Sequence, residues 1–401
     1  MSDQVGLQAS RFLFLLALAS LPNSGFANGP AFVDLSAGAH DAGTVSSNPA
    51  GMTRIESTSW RTDLIVSYSE STWEATSSAL NATSESETDN TVFVPSLAYV
   101  RSLNDRWAIG ASLSVTSGLG DDGDENSVSR YLSTDWSIGS LTFQPSVAYT
   151  ITERWSLGAG VGINYTKYSW EAAVFNGIGA DDGKVEVEPD DLNLNYILSA
   201  HWQGESTRFG VSYRSQYEPE MEDSPDYTGV DPDRESDADL ELDVTFPQSV
   251  LAGAYREFDN GQWLSLDVLW VEASEFNIES AVVDDGGEFR KNPYQLNDTW
   301  IVAAGWGRPI NADWAVGLGA MYVHDPIDDE DRSVLLRMDS LWGLGMTVDY
   351  TRRNGSIVTA GVSYLFTGDS EVETPQLPVI GVLTGEYTDR TNVLFELSYS
   401  W

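Results

Sequence analysis

The sequence predicts an all-β chain: a transmembrane antiparallel β-barrel of about fourteen strands with an N-terminal hatch, or plug, in its lumen. Three features lead there. Apolar and small residues alternate with period two along most of the chain, tight turns alternate with long acidic connections, and tryptophans fall at two levels. An even strand count follows from the second feature, because a chain that ends on the side where it began has crossed an even number of times.

The N-terminus opens the case. Arg11 precedes the short apolar run 12–20 (FLFLLALAS), and Gly25-Phe26-Ala27 is a small-x-small cleavage pattern. Residues 1–27 therefore read as a secretory signal peptide, too short to span a bilayer. No later segment reaches the roughly 18 apolar residues that a membrane helix needs, so an exported membrane form crosses with strands. With no cysteine among its 401 residues, the chain must be held by a core or a closed hydrogen-bonded ladder. Residues 28–58 are rich in Gly, Ala and Ser and lack strand alternation. Such a leader either trails in the periplasm or folds into the lumen. The few charges of AGTVSSNPAGM (42–52) favour the plug over a solvated tail.

Residues 59–401 are expected to form the barrel. The run after Arg154 shows the pattern. Trp155, Leu157, Ala159, Val161, Ile163 and Tyr165 share one parity, and Ser156, Gly158, Gly160, Gly162 and Asn164 the other. A soluble sandwich would place charges opposite its apolar parity; here the second parity is small and weakly polar, as suits lipid outside and a filled lumen inside. Strands are expected at 59–69, 91–101, 106–116, 140–151, 155–169, 190–202, 206–218, 242–257, 261–273, 298–310, 313–323, 341–352, 356–367 and 389–401. Trp107, Trp155, Trp263 and Trp314 follow short turns and Trp202 precedes one, with Trp60 and Trp401 at the matching level. Trp73, Trp136, Trp170, Trp300 and Trp342 lie towards the long connections, giving two aromatic girdles. The final strand alternates to a terminal Trp401, which looks like the assembly signal of bacterial outer-membrane barrels.

SSNPAGM (46–52) ahead of the first strand resembles the hatch motif of the FadL-type outer-membrane transporters of long-chain fatty acids and other hydrophobic compounds. The likeness continues through VPSLAYVRSLNDRWAIGASLSVTSGL (94–119), RFGVSYRSQYEPEMEDS (208–224) and the stretch from Asn311 to Ser333. It implies a monomeric barrel plugged by its hatch. Cargo would be captured near the extracellular loops, pass to a lumenal pocket, and leave sideways at an inward kink of the third strand. By position, the hatch motif is Asn48, Pro49, Ala50 and Gly51, and the kink falls in 106–116, where Gly110 and Ser112 could let the backbone bend. Pro fixes a dihedral, Gly and Ala allow close packing, and an Asn side chain can satisfy turn backbone; a plain tight turn would use the same residues. The leader is shorter than the usual hatch, and the loops at 117–139 and 170–189 are short, acidic and without an amphipathic pattern.

Other chemistry finds little footing. The three histidines, His40, His201 and His324, are spread over the leader, a short-turn end and a long-connection end, and no nucleophile elbow or zinc motif occurs. The chain is not expected to be an enzyme, and no cofactor or metal is expected. The acidic runs 121–125 and 328–331 lack calcium-loop spacing and read as solvated surface, although divalent ions could bridge them to lipopolysaccharide phosphates. A formal charge of -40 excludes nucleic-acid binding. The expected function is uptake of hydrophobic compounds, long-chain fatty acids foremost, by hatch-gated passage. The alternative is a water-filled diffusion porin, which would show charged rings on the lumenal parity; Asp267 and Glu396 point that way. The expected partners are the hydrophobic ligand, outer-membrane lipid and lipopolysaccharide. The expected place is the outer membrane of a Gram-negative cell, with both termini periplasmic.

Overall fold

The computed structural model of the protein describes residues 33–401 except 233–234, 236–238, 284–288, 291–295, 329–330, 333–338 and 375–378. The expected signal peptide lies outside the described residues. Among them, fourteen strands close a single antiparallel barrel: β1 (Thr58–Ser77), β2 (Ala82–Ser102), β3 (Trp107–Asp122), β4 (Asp135–Thr150), β5 (Trp155–Val174), β6 (Asp190–Gln203) and β7 (Thr207–Arg214). The second half is β8 (Ser249–Glu257), β9 (Trp263–Val271), β10 (Thr299–Pro309), β11 (Trp314–Val323), β12 (Leu341–Thr351), β13 (Ile357–Thr367) and β14 (Leu383–Ser400). Each strand pairs with the next, and β14 returns to β1 with Thr62 opposite Tyr399. Trp60 and Trp401 exchange backbone hydrogen bonds of 2.8 and 3.0 Å at that seam, and their rings stack. The terminal aromatic thus locks the last strand to the first.

The period-two reading fixes which face is which. On β5, Trp155, Leu157 and Val161 are exposed on the outer face, while Ser156, Gly158, Gly160 and Asn164 are buried inside. Trp107, Trp314 and Trp401 are likewise exposed near the short-turn end, forming the expected lower girdle. The upper girdle is only half as expected. Trp300 and Trp342 face out, but Trp73 and Trp136 are turned inward and buried, with Trp73 stacked on Tyr387 at 4.1 Å.

Short strands at Gly183–Val187, Asp226–Thr228 and Ser370–Glu373 extend the sheet into expected connections, and two larger stretches depart from the expected elements. Residues 70–90 form the continuation of β1 and β2, a hairpin closed by the turn at 78–81. Its inward parity stays buried at Trp73, Ala75 and Ser77, while Glu70, Glu74 and Thr76 are exposed. Beyond the hydrocarbon the outward parity turns polar, which hid the strand among the acidic connections. The expected strand 242–257 is two strands. Pro247 lacks an N–H and interrupts the ladder, so 239–245 leaves the barrel and pairs with 220–223 and 277–283, the latter pairing with 289–290. This small sheet stands at the long-connection end, joined to the barrel where the rings of Tyr217 and Phe246 stack at 4.7 Å.

The outward face of β5 generates a stability prediction. Val161→Arg places a cation in hydrocarbon near mid-strand and should cost about 2–4 kcal/mol, measured by denaturant unfolding in phospholipid vesicles; Ser156→Ala on the inner face should cost far less.

Candidate functional site

The lumen is occupied at the short-turn end by the leader. A single helical turn, α1 (Thr44–Ser47), is followed by a 3-10 turn, Pro49–Arg54, with proline at its first position, where a missing N–H is harmless. Asn48 joins the two and is fully buried. Its Nδ2 donates to Ser36 O at 3.2 Å within the leader and to Ala200 O at 3.4 Å on β6. Ala50 N donates to Ser199 Oγ at 2.9 Å, and Thr53 Oγ1 donates to Ser156 Oγ at 2.8 Å. The wall makes room for this contact. A side chain at Gly158 would collide with Pro49 and Ala50, and one at Gly210 with Asn48 and Ser36. The small inward parity of the strands is therefore a mould for the hatch.

Further contacts ring the plug. Gln144 Nε2 donates to Val45 O at 2.7 Å, Arg214 Nη2 to Ser46 O at 2.9 Å, and His201 Nε2 to Ala37 O at 2.9 Å. Leu35 N donates to Asp267 Oδ2 at 3.1 Å. Asp41 is tied to Arg61 on β1 at 2.8 Å, and the same guanidinium holds Asp63 at 2.7 Å and Glu396 at 3.1 Å. Each such bond contributes about 0.5–1.5 kcal/mol net, so the plug is held by many moderate contacts and has no single anchor. Burial, then the nearby Asp267, holds the Asp34 carboxyl well above the usual carboxylate range.

The four motif residues are thus brought together against β5 and β6. Gly110 and Ser112 sit elsewhere in the wall and in unbroken register, opposite Val100 and Ala98 on β2. A side chain at Gly110 would meet Met52 and Val45, so its smallness serves hatch packing. The irregularity of β3 lies higher, where its register with β4 shifts between Val115 and Ser117. There the β2–β3 ladder also ends, at Ser96 opposite Ser114; among the described residues no pairing joins 82–95 to 115–122. The connection 123–134 folds over the far end of this window, with Ser127 Oγ 3.1 Å from Ser84 Oγ.

Above the hatch buried polar wall residues such as Thr142, Asn164 and Asn392 flank a packed apolar cluster. Ile138, Tyr217, Phe246, Leu251, Met321 and Ile327 belong to one buried cluster that reaches down to Leu35. Below the hatch the space is different in kind: a polar cavity of about 300 Å³ lined by Asp34, His40, Asp41, Arg61, Asp349 and Glu396. Asp267 and Glu396 were legible in the sequence as inward, but not their partners, Leu35 of the leader and Arg61 of β1, which are more than 200 residues away in the chain.

Residues 15–400 match the family model described as outer membrane protein transport protein (OMPP1/FadL/TodX). The chain is 21% identical over 368 residues to a long-chain fatty acid transport protein of Escherichia coli O6:H1, covering 82% of this chain and 81% of the relative. It is 23% identical over 415 residues to outer membrane protein P1 of Haemophilus influenzae, covering 91% and 88%. The fold resembles the crystal structure of a Pseudomonas aeruginosa FadL homologue, with a TM-score of 0.79 at 18% identity over 92% of this chain and 96% of the other. A Ralstonia pickettii toluene transporter, TbuX, gives a TM-score of 0.64 at 16% identity over 90% and 93%.

Two leader carboxylates differ in their surroundings, Asp41 on Arg61 and Asp34 in a buried site. Arg61→Ala strands Asp41, Asp63 and Glu396 without their cation and should cost about 3–5 kcal/mol in denaturant unfolding. Asp34→Asn should not lower the midpoint, because burial and the nearby Asp267 disfavour the charged carboxylate there and Asn suits its positive φ of 52°.

Proposed function

Because the chain belongs to the outer membrane protein transport protein family (OMPP1/FadL/TodX), we propose that it brings hydrophobic molecules, long-chain fatty acids first among them, into a Gram-negative cell through its outer membrane. The observation that carries the reading is the order of spaces along the lumen. A buried apolar cluster in the upper barrel reaches down to the hatch, the ladder between β2 and β3 ends at its level, and only a small cavity lined by charged groups lies below. Hydrocarbon entering the polar cavity would gain nothing, whereas leaving through the window keeps it in apolar surroundings throughout. The cargo thus exits into the membrane. Asn48, Pro49, Ala50 and Gly51 form the part of the hatch that gates this passage, and residues 1–27 are removed on export. Both ends of the mature chain then lie in the periplasm, the barrel acts as a monomer, and its acidic connections face lipopolysaccharide, with divalent ions as bridges.

A porin reading receives less support. Its water-filled lumen needs charged rings, yet the inward charges at Asp63 and Glu396 are buried on Arg61, Asp267 is buried against the leader, and an apolar cluster packs above. Uptake of radiolabelled oleate by cells lacking their own transporter should rise when this protein is present. It should fall several-fold in the variant Asn48→Ala with Pro49→Ala, at equal barrel levels. Uptake at background with an assembled barrel, together with steady ion conduction in planar bilayers, would reverse the reading in favour of the porin.

A further inference from the structure

On the outer wall a groove of about 680 Å³ runs across β7 to β11, near the short-turn end. Its floor follows one cross-strand row. Phe209 stands opposite Ala254, Ala254 opposite Leu266, Leu266 opposite Ala304, and Ala304 opposite Ala320. The row spans five strands, roughly 19 Å at a strand spacing of about 4.8 Å. Larger side chains flank it on both sides, Leu264, Trp306 and Leu318 in the row beneath and Val268, Val302 and Tyr322 in the row above. Three alanines between such rows leave a furrow in the lipid-facing wall, with Leu266 rising in its middle.

The mouth of the groove is cationic. Arg256 lines it at the short-turn edge, opposite Thr207 and Leu264, with its guanidinium over the ring of Phe258 at 5.4 Å. Arg308 follows Trp306 by two residues and shares its outward parity on β10. Both arginines are exposed, and among the described residues neither forms an ion pair, in a chain of 61 acidic against 21 basic residues. No carboxylate lines the groove. An arginine at this level lays its stem on the apolar wall and carries its charge to the interface, where Trp306 also sits. A second copy of the chain would fit poorly. A two-fold axis along the membrane normal sets the same arginines of both copies at one depth, cation facing cation.

We propose that this groove binds one anionic phospholipid, its phosphate on Arg256 and Arg308 and its acyl chains on the alanine floor to either side of Leu266. Guanidinium meets phosphate with two parallel hydrogen bonds, a match that water-exposed lysine lacks. A zwitterionic head group places its own ammonium beside the phosphate, so a lipid of net negative charge gains more from the two cations. The site goes beyond the transport reading and takes from it only the placement of the short turns at the inner leaflet. β9, at its centre, is nearly half the strand circuit away from the β2–β3 boundary, so a lipid held there leaves the window clear.

Native mass spectrometry counts the lipid that stays on the full-length barrel after release from nanodiscs of phosphatidylglycerol and phosphatidylethanolamine with equal chains. The wild type should keep one lipid and favour phosphatidylglycerol by about fivefold for each arginine. Arg256→Gln should lower that preference about fivefold, whereas Arg154→Gln, at a different short turn, should not change it. Ala304→Leu fills the floor with a side chain that hydrocarbon favours. It should lose the bound lipid of either kind while oleate uptake stays at the wild-type level. A wild type that keeps no lipid, or keeps both kinds equally, overturns the site. So does an Arg154→Gln effect equal to that of Arg256→Gln, which would mark a diffuse basic belt. A dimer that Ala304→Leu dissociates overturns it as well and gives the groove to a second copy. Oleate uptake at background in the wild type would remove the transport reading and leave the lipid count to decide the groove.

Discussion

Hydrocarbon offers no hydrogen bonds, so each unpaired backbone group in it costs several kcal/mol, and everything else in this molecule depends on how completely the ladder closes. The seam between β1 and β14 is paired along most of both strands and capped by Trp60 and Trp401. Against that background, early ends of pairing stand out. β1 pairs with β2 from Thr58 to Ser77, whereas β2 and β3 part beyond Ser96 and Ser114, and β6 and β7 beyond Ile197 and Arg214. The irregular strand sits where the inner wall passes from hatch to apolar chamber.

The interior is organised by the same economy of polar groups. At the short-turn end the wall is glycine and serine, and the leader fills it with backbone carbonyls and amides that find wall donors and acceptors one by one. Higher up, an apolar cluster packs among buried Ser, Thr and Asn side chains of the wall, and the leader is absent. In the proposed sideways exit, a hydrophobic molecule that reaches the hatch finds lipid to the side and charged groups below.

Much of this was legible in the sequence. The strand count, the inward small parity and the short-turn girdle follow from local patterns of two to ten residues, which periodicity reads well, and the hatch motif from the resemblance carried by residues 46–52. The misses share a cause. The hairpin 70–90 looked like a loop because its outer face leaves the membrane, and Pro247 divides a run whose apolar alternation continues on both sides of it. The register shift could not be placed, since Gly110 is small for the sake of Met52 and the bulge falls at an ordinary Thr-Ser pair.

The central claim is sideways exit between β2 and β3. Continuing the ladder by two residues from Ser96 and Ser114 would set Val94 opposite Thr116, so cysteines at these two positions make a reversible staple across the window in a chain that has no other cysteine. Oxidation should abolish oleate uptake by the double-cysteine protein, and reduction should restore it, with either single cysteine indifferent to both. Undiminished uptake through a fully cross-linked barrel would contradict the account and direct attention to the polar cavity beneath the hatch.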